Sequence, residues 1–115
     1  MEKAINGQIN KEIFSAYLYL AMATRAEATV LKGTAQWFRI QSKEEWAHAM
    51  RLYDYLKDQC ATIELQGIDK PPAQFASMQD MFTQALKHEK SITQSINELV
   101  ALAQAENDHA TQIML

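Results

Sequence analysis

ATIELQGIDKPPAQFA, residues 61–76, is a long stretch without a helical stripe of apolar residues, and it holds both prolines and one of the three glycines. Proline and glycine interrupt helices, and the remaining sequence is nearly free of them. It is instead rich in Ala, Glu, Gln, Lys and Leu, all good helix formers, so the fold class read from the sequence is all-α. Two helices are expected before the interruption, over about residues 4–31 and 34–59. Gly33 is the expected left-handed residue between them, and Thr34 the cap of the second. After it, Ser77 is placed to cap a third helix over 77–105, with Asp80 three residues on to favour the N-terminal dipole. Glu106-Asn107-Asp108 reads as a turn, and Asp108 as the cap of a fourth helix represented by residues 109–115.

These connections carry topology. A turn of a few residues makes helices one and two antiparallel neighbours. The stretch 61–76, extended at about 3.3 Å per residue, reaches roughly 50 Å. A helix of about 26 residues is only about 39 Å long. The stretch can therefore travel the whole length of a bundle and set helices two and three parallel.

Bulk composition narrows the function. With 48% hydrophobic and 22% charged residues, the 115-residue chain has the mixture of an ordinary folded protein of about one domain. Its eleven Lys and Arg are scattered and the net charge is −3, so no nucleic-acid partner is expected. The longest apolar run, Ala16 to Ala23, is far short of the roughly 20 residues that span a bilayer, and no membrane partner is expected. Met1 to Ile5 lead straight into a mixed pattern without the apolar region of a signal peptide. Cys60 is the only cysteine and cannot form an intramolecular disulfide, so the expected compartment is the cytoplasm.

The helical stripes contain the functional signal. At three-and-four spacing, helix one presents Ile5, Ile9, Glu12, Ala16, Tyr19 and Ala23. Helix two presents Phe38, Gln41, Glu45, His48, Leu52 and Tyr55. Helix three presents Met78, Phe82, Ala85, Glu89, Ile92, Ile96 and Leu99. Each stripe is interrupted by one carboxylate, and His48 follows Glu45 by three residues, on the same helix face. Burying three uncompensated carboxylates together costs several kcal/mol each and adds their mutual repulsion. A multivalent cation turns that cost into ligation. Oxygen-rich ligation with one nitrogen suits iron or manganese better than a structural zinc site. Taken singly, each residue has a plainer reading: His48 as a core histidine, Glu12 as an edge residue, Glu89 as the partner of a lysine. Their coincidence on three helices favours a metal site. His88 and His109 fall off the stripes and are expected in solvent.

Six segments carry a resemblance to a known family. Asn10-Lys-Glu-Ile-Phe-Ser-Ala-Tyr-Leu-Tyr19 lies on the first helix, and Gln36-Trp-Phe-Arg39 with Glu44-Glu-Trp-Ala-His-Ala-Met50 on the second. Lys70-Pro-Pro72 lies in the crossover, and His88-Glu-Lys90 with Ile96-Asn-Glu-Leu99 on the third helix. Through these segments the sequence resembles the non-haem bacterial and archaeal ferritins along almost its whole length. The resemblance implies a four-helix bundle with a long crossover and a ferroxidase of two Fe(II) ions. Glu12, Glu45 and His48 would surround the first iron, with Glu45 bridging to a second held by Glu89. Tyr19 would lie beside the centre as a hydrogen-bonding and electron-donating residue, a role compatible with simple core packing. Glu44 matches a ligand of an additional iron position and can equally be a surface acid. Dioxygen or peroxide would be the oxidant, a ferric mineral the product, and a homo-oligomeric cage the store. Trp46 stands where bacterioferritins carry their haem-binding methionine, so no haem is expected. One cysteine also disfavours a rubrerythrin-type iron centre.

The pattern departs from the family at the C-terminal side, where the fourth helix is largely absent. That leaves an apolar stripe without a cover, and the expectation is a longer parent chain, a repacked bundle or a covering subunit. The alternative function is accordingly a partially active or non-catalytic metal-binding subunit.

Overall fold

The computed structural model describes residues 1–29 and 31–115. It contains α1 (Glu2–Ala28), α2 (Lys32–Asp58), α3 (Met78–Ala105) and the short α4 (His109–Met114). The described residues contain no strand, and the helices pack against one another as a bundle. None of the described helices is long and apolar enough to cross a membrane.

The α1–α2 junction differs from the sequence expectation. The helix read as continuing to Leu31 ends at Ala28, and α2 starts at Lys32. Residue 30 lies outside the described residues. The break comes early because the Thr29 hydroxyl donates back to the carbonyls of Arg25 (3.3 Å) and Ala26 (3.1 Å). The Leu31 N–H also returns to the Ala26 carbonyl at 2.9 Å. These bonds satisfy the orphan acceptors of a helix end without a glycine. Gly33 and Thr34, read as terminator and cap, both lie inside the first turn of α2. The starts of α3 and α4 use side-chain caps: the Asp80 N–H donates to Ser77 Oγ at 3.0 Å, and the Thr111 N–H to Asp108 Oδ1 at 3.1 Å.

Paired contacts fix the directions of the helices. Ser42 on α2 donates to the Ala16 carbonyl on α1 at 2.7 Å, and Arg39 meets Glu27 nearer the turn, so these helices are antiparallel. Thr34 approaches Met78 at 3.9 Å, and the rings of Trp37 and Phe82 lie 5.7 Å apart, so α2 and α3 begin at the same end and run parallel. The connecting segment travels the length of α1. At its start, Asn6 Nδ2 donates to the carbonyl of Thr62 (2.9 Å) and Asn6 Oδ1 accepts from the N–H of Glu64 (2.9 Å). Near its end, Phe75 is buried against the cluster that contains Met22 and Ala26.

Asn6 is therefore a peg for the crossover. Its side chain is buried and also donates to the Glu2 carbonyl at 3.1 Å. Asn6→Ala leaves the Thr62 carbonyl and the Glu64 N–H without these partners. We expect a loss of about 2–3 kcal/mol in stability, read as a lower denaturant midpoint at unchanged slope.

The core has two parts. One, around Leu18, Tyr19, Met22, Phe38, Phe75 and Met81, lies toward the α1–α2 turn. The other, Ile5, Ile9, Leu52 and Leu56, lies at the opposite end and is partly covered by Met114 and Leu115. Between them, in sequence and along the bundle, sit Glu12 and Glu45.

Candidate metal centre

Glu12 and Glu45 are almost fully buried, at 3% and 5% exposure, each on the inward face of its helix. His48, one turn beyond Glu45, completes the group: one ligand atom from each of the three lies within 4.8 Å of the others. His48 Nδ1 is 3.5 Å from Glu45 Oε2 and 4.0 Å from Glu12 Oε2. Those same two carboxylate oxygens are buried without a hydrogen-bond partner. A buried, unpartnered carboxylate oxygen carries the full cost of desolvation. Two of them facing one imidazole nitrogen form a donor set that fits a cation.

The protein without metal answers this crowding by holding a proton. Burial first, and then the adjacent Glu12 and Glu89, push the Glu45 carboxyl up to about 9. A cation binding at these oxygens would have to displace that proton.

Glu89 is near enough to Glu45 to raise its pKa but stands outside the compact group. One of its oxygens accepts a short hydrogen bond from the Tyr19 hydroxyl. Tyr19 is 1% exposed, and burial, followed by this bond to Glu89, holds its phenol protonated well above the ordinary tyrosine range. Glu44 is exposed and does not join the group. His48, read as a core position, has a side chain 58% exposed, because it sits at the edge of its stripe where α2 faces a cleft. That cleft, of about 290 Å³, is lined among others by Glu12, His48, Leu52, Ile92, Ile96 and Met114.

Two polar residues near the site were not read as part of it from the sequence. His88, expected in solvent, is half-buried: its ring lies 5.8 Å from Phe14 and 6.3 Å from Tyr19, and its Nε2 is 2.5 Å from Ser15 Oγ. Ser15 spends its only proton on the Lys11 carbonyl at 2.9 Å, so His88 must donate through Nε2. Burial lowers the histidine pKa, which favours the neutral ring. His109 is exposed. The second residue, Gln8, is 2% exposed and donates through Nε2 to Glu12 Oε1 at 3.1 Å. Its place four residues before Glu12 was the available sequence signal, since that spacing puts both on one face.

The family model for the ferritin-like domain matches residues 2–115. The chain belongs to the ferritin family. This ferritin-like chain is 34% identical over 111 residues to a bacterial non-haem ferritin of Escherichia coli O157:H7, covering 96% of the chain and 67% of that relative. It is 33% identical over 109 residues to the Staphylococcus aureus (strain NCTC 8325 / PS 47) bacterial non-haem ferritin, covering 95% and 66%. Among solved structures, an open-pore ferritin from the hyperthermophilic archaeon Archaeoglobus fulgidus superposes with a TM-score of 0.97 at 39% identity, covering 99% of this chain and 70% of that one. A humanized archaeal ferritin gives 0.96 at 43% identity, covering 97% and 68%. The chain spans about two thirds of the length of these relatives.

Proposed function

We propose that this ferritin-like chain is an iron-storage subunit of a cytoplasmic homo-oligomer, and that it binds Fe(II) at Glu12, Glu45 and His48 with a second iron at Glu89. The observation that carries this reading is the pair of buried, unpartnered oxygens of Glu12 and Glu45 turned toward His48. The iron is substrate. Two Fe(II) ions give one electron each to dioxygen, which takes up two protons and leaves as hydrogen peroxide; peroxide can serve as oxidant in turn. The ferric product then hydrolyses to mineral.

The residues have separable tasks. Glu12 and Glu45 supply negative charge and oxygen ligands, and loading the site displaces the proton that Glu45 otherwise holds. His48 adds a nitrogen ligand at the mouth of the cleft, where a hydrated ion can exchange water for protein donors. Tyr19, protonated and bonded to Glu89, orients that carboxylate. Glu44, exposed on the same helix, would serve an additional iron position rather than the centre itself.

An anaerobic Fe(II) titration followed by rapid mixing with dioxygen tests the reading. We expect two Fe(II) per chain, oxidised together at about two irons per dioxygen, in a large assembly. A second reading, a metal-binding subunit without rapid oxidation, is favoured by Glu89 being engaged with Tyr19 outside the compact group. It predicts one Fe(II) per chain and slow oxidation. Absence of any binding stronger than that of a Glu12→Gln, Glu45→Gln double variant would sink both.

A further inference from the structure

Glu12 is the buried carboxylate whose two oxygens are treated differently by the fold. Oε1 accepts the amide of Gln8 at 3.1 Å, while Oε2 has no partner and lies 4.0 Å from His48 Nδ1. Gln8 is itself 2% exposed, so its amide does not exchange this bond for one to solvent. A carboxylate only accepts, so the group that Gln8 turns toward it must be its NH₂. Both residues lie on α1, one turn apart, so the bond is set by the helix and does not depend on α2 or α3.

We infer that Gln8 is a positioning residue: it occupies Glu12 Oε1, fixes the carboxylate plane, and leaves Oε2 as the single oxygen that Glu12 offers to a divalent cation. The consequence is a choice of coordination. A carboxylate with both oxygens free can chelate a metal through both. One held by a neutral donor binds through one oxygen and leaves a coordination position for another ligand. A neutral amide does this without adding a charge, so the pull of Glu12 on a cation is retained. Partners of this kind are commonly worth about 10–100-fold in metal affinity.

This inference rests on the metal site proposed above, and Co(II) as a probe separates the two. Its visible d–d bands report coordination number and its titration reports affinity, neither requiring turnover. Gln8→Met keeps the length and fills the space but cannot donate. We expect Q8M to bind Co(II) roughly 10–100-fold more weakly, with altered d–d bands, and to fold with a melting temperature of the metal-free protein several degrees below the parent's, because Glu12 Oε1 is left buried without its donor. Should Q8M not fold, Gln8→Asn keeps an amide one methylene short of Glu12 and carries the same expectation. A folded variant with parental affinity and bands overturns the role of Gln8 while leaving the metal site standing. Failure of both variants to fold also overturns it, because Gln8 would then be needed for the fold rather than for the ligand. No Co(II) binding by the parent protein would remove the metal site itself.

Discussion

Glu45→Gln is expected to weaken Fe(II) binding by roughly 100-fold or more and, in the same protein, to raise the stability of the metal-free form. The first effect follows from position. Glu45 Oε2 is one of the two unpartnered oxygens, it is the nearer to His48, and Glu89 lies close enough to influence its carboxyl. Removing a direct ligand should cost at least what an outer partner costs.

The second effect follows from linkage. Burial and the neighbouring acids raise the folded-state pKa of Glu45 from 4.5 to about 9. A raised folded pKa means that the native state holds a proton the unfolded chain releases. This contribution to stability is fully present below the unfolded carboxylate pKa and is lost as pH rises through the folded value. The metal-free parent should therefore lose stability between about pH 4.5 and pH 9 through this group. The amide of the E45Q variant does not titrate in this range, so the variant should gain on the order of 1–3 kcal/mol over the parent near neutral pH. Thermal melts of both metal-free proteins across that range check the sign. The gap should be small near pH 5 and widest near pH 9, and a constant gap would contradict the account. A stability gain paired with a loss of metal binding is the signature of a residue kept for ligation.

Phe38→Ala should destabilise the bundle by about 3–5 kcal/mol, the upper range for truncating a buried apolar side chain. Phe38 is fully buried, its ring 6.1 Å from Tyr19, 5.1 Å from Trp37 and 5.2 Å from Phe82. It ties α2 to both α1 and α3, and its removal leaves a cavity that those rings can only partly fill. The informative control is Phe82→Ala. Phe82 belongs to the same aromatic group and reads as a core position in the sequence, yet it is 41% exposed. Its truncation should cost about 1–2 kcal/mol, because much of its ring surface is already in water. Urea midpoints of the two variants measure the difference. Equal shifts would show that Phe82 is as deeply buried in solution as Phe38.

The contrast between Phe38 and Phe82 illustrates how far periodicity reaches. An inward stripe is about 100° wide, so residues at its centre are buried in almost any packing and residues at its edges depend on the neighbours. Ile5, Ile9, Tyr19 and Phe38 are central and buried. His48 and Phe82 are at edges and face solvent or the cleft. His88, off the stripe, is drawn inward by a partner on another helix, Ser15.

The helices, their directions and the family were all legible in the chain before any contact was known. Helix formation, caps such as Ser77 and Asp108, and the reach of residues 61–76 are local properties of the chain and of its length. So is the placing of Glu12, Glu45 and Glu89 among apolar neighbours. Motifs around those acids carried the resemblance to ferritins. Which atoms meet was legible only in the folded bundle. Packing set Glu12 Oε2 and Glu45 Oε2 against His48, turned Glu89 to the Tyr19 hydroxyl, and left Glu44 in solvent. Those outcomes depend on helix rotation and side-chain rotamers, which are fixed by contacts between segments distant in the chain. A spacing of three or four residues states which face a carboxylate shares; the neighbouring helices determine what its oxygens find there.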